Sequence, residues 1–144
     1  MTRTSIPSIR GRLLLAAAIA CAAVSSAQAQ SATAERGRYL VTTIMACGNC
    51  HTPKDASGRP IAGKELSGGG VGFDIPPFLG VAANITPDRE TGIGDWTDDE
   101  IRRALTHGER PAHGPLAGKP LAAPMAANFF KAILPADQDA IVAY

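Results

Sequence analysis

The apolar positions of this chain fall into helical patterns at both ends and into no period at all in between. From about Thr33 to Ala46, Tyr39, Leu40, Thr43, Ile44 and Cys47 recur at three- and four-residue spacing. That spacing predicts an amphipathic helix with Glu35 in its first turn, running into the Cys47 region. Gly37 lies inside it, which costs about 1 kcal/mol relative to alanine unless it lets another helix come close. A second helix is predicted after Trp96. Thr97 with Glu100 makes a capping box, Trp96 can staple onto Ile101, and Gly108 supplies the stop. Its buried stripe is Ile101, Ala104 and Leu105, with Arg102 and Arg103 facing out. A short helix is expected over Ala126 to Ile133. A last one opens at Pro135, with Asp137 and Asp139 near its positive end and Ile141, Val142 and Tyr144 towards its close. It has no C-terminal stop signal, so the chain is expected to continue beyond Tyr144.

Residues 52–95 carry no period and are rich in glycine and proline, including Gly68-Gly69-Gly70 and Pro76-Pro77. A loop of that length argues against a compact fold unless it wraps something other than itself. Ahead of the helices stands a different kind of segment. Arg3, Arg10 and Arg12 precede the apolar run Leu13–Val24, and Ala27-Gln28-Ala29 is a small-x-small site. Basic, apolar and cleavable segments in that order predict a signal peptide over residues 1–29, leaving one domain at 30–144. The apolar run is shorter than the ~20 residues needed to span a bilayer. Ala18-Ile19-Ala20-Cys21 is an imperfect match to a lipoprotein box, so a lipid anchor on Cys21 is the less favoured alternative.

Cleavage removes three of the 14 basic residues and none of the 13 acidic ones, which makes the remainder net acidic. Nothing in that balance suggests nucleic-acid binding, which wants a basic face. Cleavage also leaves Cys47 and Cys50 as the only cysteines of the mature chain, in Cys47-Gly48-Asn49-Cys50-His51. This spacing puts two thiols along one helical turn, at the separation of the two haem vinyl groups, with His51 directly below the ring as an iron ligand. A thioredoxin-like pair would need a βαβ setting, and a zinc site would need two further well-spaced ligands. A plain disulfide would leave His51 without a role. The reading is therefore covalent haem c, attached outside the cytoplasm, in agreement with the predicted export signal.

The sixth iron position decides what such a haem does. A thioether gives a low-spin electron-transfer centre, whereas an open position permits ligand binding or catalysis. Met1 leaves with the signal peptide, and Met45 is too close to Cys47 on the same helix to reach the opposite face. Met125, in Leu121-Ala122-Ala123-Pro124-Met125, is the remaining thioether. His113, in a Gly/Pro-rich loop, is the competing ligand, and His107 is expected to be exposed at a helix end.

Ala34–Leu40 ahead of Cys47–His51 resembles the start of small class I cytochrome c domains. The run Asn84-Ile85-Thr86-Pro87-Asp88-Arg89-Glu90-Thr91-Gly92-Ile93-Gly94-Asp95-Trp96-Thr97 resembles the cytochrome subunits of bacterial membrane-bound alcohol, aldehyde and sugar dehydrogenases. The closing Ala140–Tyr144 resembles the family's last helix. The resemblance implies an all-α small cytochrome c fold, with long loops wrapped around one covalent haem and the first and last helices crossing near Gly37 and Tyr144. It also implies Met125 as distal ligand, although the family follows that Met with Pro and a Tyr-containing segment where this chain has Ala126-Ala127-Asn128-Phe129-Phe130. The expected function is a periplasmic one-electron carrier and not an enzyme. It would accept electrons from a dehydrogenase and pass them to an oxidase or another cytochrome, with peripheral membrane association as an option. The alternative is a haem enzyme or gas sensor with an open or histidine-filled sixth position.

Overall fold

The computed structural model describes residues 28–75, 78–125 and 127–144, so the apolar leader and Cys21 lie outside the described residues. The chain is helical over residues 28–39 (α1), and a π-helical turn, Leu40–Ile44, continues it. After α2 (Gly48–His51), a long irregular stretch carries one antiparallel hairpin, β1 (Gly72–Ile75) and β2 (Phe78–Val81). Then follow α3 (Asp98–His107), α4 (Ala127–Phe130) and α5 (Pro135–Ala143). The all-α class holds, with the hairpin as its one small sheet among the described residues.

The expected single helix into Cys47 is corrected in two places. The π turn inserts an extra residue, seen in the Met45 N–H donating to the Leu40 carbonyl at 2.8 Å. This rotates the buried face, so Leu40 and Val41 turn inwards while Ile44 is 60 % exposed. Ala46 then adopts φ 51°, a left-handed conformation that ends the run and starts α2 afresh. Met45 is therefore not on the helix that carries Cys47, Cys50 and His51. It lines a groove with Tyr39, Ile44 and Leu134.

Gly37 explains its own place in α1. A Cβ there would stand 1.9 Å from the Ala140 carbonyl oxygen and 2.9 Å from the Tyr144 Cβ, so α1 and α5 cross backbone to backbone at this point. Arg36 clamps the crossing through paired bonds to Asp137, Nε to Oδ1 at 2.9 Å and Nη2 to Oδ2 at 3.1 Å. Gly37→Val is expected to force the two helices apart and cost about 3 kcal/mol or more. Thermal unfolding followed by circular dichroism should show a melting temperature lower by roughly 10 °C or more.

The second helix forms as its sequence predicts. Thr97 Oγ accepts from the Glu100 amide, Glu100 reaches back to the Thr97 amide at 2.9 Å, and Gly108 ends the helix at φ 71°. Ala104, Leu105 and Thr106 are buried. Arg102 departs from the outward direction expected for it: its Nη2 donates to Asp139 on α5 at 2.7 Å, tying α3 to the α1–α5 pair. Pro135 opens α5 as anticipated. No helix among the described residues is long and apolar enough to cross a membrane.

Candidate functional site

One helical turn assembles the attachment residues. The Cys47 carbonyl accepts from the Cys50 amide at 3.2 Å and the His51 amide at 2.9 Å, while the Asn49 amide bonds back to Ala46 and the Thr52 amide to Gly48. Both thiols are free; Cys50 is exposed and Cys47 half-buried. Burial pushes the Cys47 thiol above its ordinary range, with the neighbouring Cys50 adding to the rise. The turn thus presents both sulfurs within one short segment, with the Cys47 thiol favoured in its protonated form.

His51 is fixed through its second nitrogen. Its Nδ1 lies 2.7 Å from the Ala83 carbonyl oxygen. A carbonyl can only accept, so Nδ1 carries a proton, and Nε2 is the nitrogen left to face a metal. Such a backbone acceptor orients a metal-bound imidazole and raises its basicity.

What brings Ala83 there is the segment that looked structureless in the sequence. Leu66 N–H donates to the buried Thr52 Oγ1 at 3.0 Å, and the Leu66 carbonyl accepts from Ile85 N–H at 3.0 Å. Gly68 N–H donates to the His51 carbonyl at 2.7 Å, and Gly69 N–H to that of Ala82 at 2.8 Å. Residues 66–71 thus lie as a ribbon between the end of α2 and residues 82–85. At Gly70 a Cβ would fall 2.4 Å from the Cys50 carbonyl oxygen and 2.2 Å from that of Thr52, so only glycine lets the ribbon lie against the attachment turn.

From Ala83 the chain enters a self-closed loop that ends at the cap of α3. Asn84 Oδ1 accepts from the Thr86 amide at 2.9 Å, and Ile93 N–H returns to the Thr86 carbonyl at 3.0 Å. Asp88 Oδ1 accepts from the amide and hydroxyl of Thr91, at 2.7 and 2.8 Å. These bonds to Thr91 hold the Asp88 carboxyl below the ordinary aspartate range. A depressed folded-state value means that the stabilisation is present above the ordinary range and is lost as pH falls through the depressed value. Amide exchange at Thr91 is accordingly expected to accelerate in strong acid, and Asp88→Asn to remove that pH dependence.

Met125 stands in a different segment from the attachment turn. It closes a turn whose Met125 amide donates to the Ala122 carbonyl at 2.9 Å, immediately before α4, and its side chain is half-buried. The loop leading to it is closed at its base by Leu121 N–H on the Gly108 carbonyl at 2.7 Å and by Arg110 on the Pro120 carbonyl. His113 is engaged elsewhere, its Nε2 lying 3.2 Å from Glu100 Oε1. The exposed His107 has its Nδ1 2.7 Å from Thr106 Oγ1. Asp98, Asp99 and Glu100 form no acid–base pair: Glu100 completes the helix cap and Asp99 faces Arg102 and Arg103.

The donor set fits haem c. Two thiols on one turn match two thioethers, and an imidazole with its outer nitrogen secured presents the inner one to a metal. The packing fits as well. Among the described residues the buried apolar positions are Leu40, Val41, Ala104, Leu105, Ala127 and Ala140, a set of mostly small side chains. Nothing in the sequence marks Ala83 as the acceptor for His51. Gly68, Gly70 and Thr52 went unread as site residues, because their roles depend on backbones brought together from distant parts of the chain.

Comparison with known proteins agrees with this geometry. The chain is 38 % identical over 112 residues to the fructose dehydrogenase cytochrome subunit of Gluconobacter japonicus, covering 76 % of this chain and 21 % of that protein. It is 36 % identical over 95 residues to the gluconate 2-dehydrogenase cytochrome c subunit of Pantoea cypripedii, covering 66 % and 20 %. A diheme cytochrome c-type protein of Cereibacter sphaeroides is 35 % identical over 85 residues, covering 59 % and 26 %. The chain thus spans about a fifth to a quarter of the length of these relatives. No protein-family model matches it.

Proposed function

We propose, from the premise that this chain is a cytochrome c domain similar to those of dehydrogenase cytochrome subunits, that it is a one-electron carrier with a single covalent haem c. The observation that carries the reading is the 2.7 Å contact of His51 Nδ1 with the Ala83 carbonyl, on the same turn as the two free thiols. Cys47 and Cys50 would hold haem through thioethers, His51 Nε2 would bind the iron, and the Met125 thioether would complete the axial pair. When bound, haem supplies reversible one-electron exchange at its iron. The chain's residues do the rest. Ala83 fixes the proximal imidazole, the closed loop ending at Leu121 holds the Met125 segment, and the apolar faces of α1, α3 and α5 exclude water.

The carrier is placed in the periplasm, with residues 1–29 removed on export, because haem c is joined to its thiols outside the cytoplasm. A dehydrogenase is the donor and an oxidase or another cytochrome the acceptor. The first assignment is supported by the names of the relatives, which are cytochrome subunits of fructose, gluconate and alcohol dehydrogenases.

Carbon monoxide and cyanide test the reading. The mature protein is expected to bind neither carbon monoxide rapidly when reduced nor cyanide rapidly when oxidised, and its resting spectrum to be low-spin. High-spin features with fast carbon monoxide binding would make it instead a haem enzyme or gas-binding sensor.

A further inference from the structure

We propose that Gly68 is a positioning residue that sets the potential of the haem by fixing the distance between His51 and the Ala83 carbonyl. The proposal rests on the function given above and adds a determinant to it.

Gly68 is buried and occupies the gap between two backbones. On one side its N–H donates to the His51 carbonyl at 2.7 Å. On the other, a Cβ at Gly68 would stand 2.7 Å from the Asn84 nitrogen, 2.9 Å from the Ala83 carbonyl carbon and 3.0 Å from the Ala82 oxygen. The ribbon is fastened to both sides beyond Gly68 as well. Thr52 Oγ1 and Ile85 N–H hold Leu66, Gly69 N–H donates to Ala82, and Ala82 N–H donates to the Val71 carbonyl at 2.9 Å. A side chain at position 68 therefore cannot be absorbed by sliding the ribbon. It must push residues 82–84 away from α2, and the Ala83 carbonyl moves with them.

The consequence for the metal has a definite sign. A close acceptor on Nδ1–H makes the imidazole a stronger donor and favours the oxidised iron. Lengthening the 2.7 Å contact weakens that donation and raises the potential. Gly69 supplies an internal control. It has φ +75° against +86° for Gly68, so alanine is strained in the left-handed region at either position, but nothing lies within 4 Å of a Cβ at Gly69. The two substitutions differ in the wedge and share the strain.

The test compares Gly68→Ala with Gly69→Ala in the mature haem-loaded chain, by potentiometric titration and by nitrogen-15 NMR of the His51 ring. Gly68→Ala is expected to favour the reduced state by roughly tenfold, about 59 mV for one electron, and to speed exchange of the Nδ1 proton. Gly69→Ala should leave both near wild type. Equal shifts in the two variants, or an unchanged potential and Nδ1 exchange rate in Gly68→Ala, overturn the proposal. Should Gly68→Ala fail to fold, Thr52→Val, which releases Leu66 from the end of α2, must move both readouts in the same direction by a smaller amount. No movement there overturns it too. A wild-type chain that takes up no haem would defeat the function itself. In that event the His51 Nδ1 shift of the haem-free chain still reads the contact, and it must change in Gly68→Ala but not in Gly69→Ala.

Discussion

Replacing both Cys47 and Cys50 by alanine is expected to yield an exported chain with no covalent haem. Intact mass should fall by a whole haem, and a denaturing gel stained for haem should be blank. The reason is chemical: each thioether uses one sulfur, and no other cysteine lies in the 30–144 region. A single replacement should leave one thioether, so haem remains attached at lower yield. The loss is also expected to reach the fold. The buried apolar set is two leucines, one valine and three alanines among the described residues, while Phe129 is 81 % and Leu134 69 % exposed. At about 25 cal/mol per Å² of apolar surface removed from water, so small a set stabilises weakly without a large apolar partner. The double variant should therefore have much less helical circular dichroism at 25 °C than the wild type. Retention of haem through denaturation in the double variant would refute the attachment assignment.

The second large effect is expected at Met125. Met125→Ala should abolish the weak near-infrared band that marks a thioether on ferric iron, and should open the sixth position to carbon monoxide. The potential should fall by roughly 0.1–0.3 V, part of the ~0.8 V range that axial ligands command. His113→Ala is the matched comparison, since His113 is the competing ligand. Its Nε2 sits 3.2 Å from Glu100 Oε1, and Glu100 is itself committed to the cap of α3. His113→Ala should leave the band and the potential in place. If His113→Ala removes the low-spin spectrum and Met125→Ala does not, the distal ligand is the histidine.

The parts of this molecule legible in the sequence are those set by local chemistry. The Thr97–Glu100 cap, the Gly108 stop and Pro135 at the start of α5 all depend on residues within a turn or two of one another. The crossing at Gly37 was legible only through family resemblance, because its cause is the Ala140 carbonyl about a hundred residues away. The π turn at Leu40–Ile44 leaves the composition of a helix unchanged, so a period of 3.6 carried past it assigns Ile44 to the wrong face. The hairpin was hidden because four-residue strands around Pro76-Pro77 are too short to display alternation. Within the candidate site, Cys47, Cys50 and His51 are proposed from their spacing, and Met125 by elimination. The Ala83 carbonyl and Gly68 could not be read from the sequence, since a backbone acceptor has no sequence signature and a glycine in a loop does not announce what it lies against.

The proposed function requires a low-spin, one-electron haem centre in the mature chain. The measurement that tests it most directly is a potentiometric titration of that chain followed by reduced-minus-oxidised absorption spectra. A single haem c signature is expected, titrating as one Nernstian one-electron wave, low-spin at both ends. A chain without a haem spectrum, or one whose oxidised form is high-spin, would contradict it.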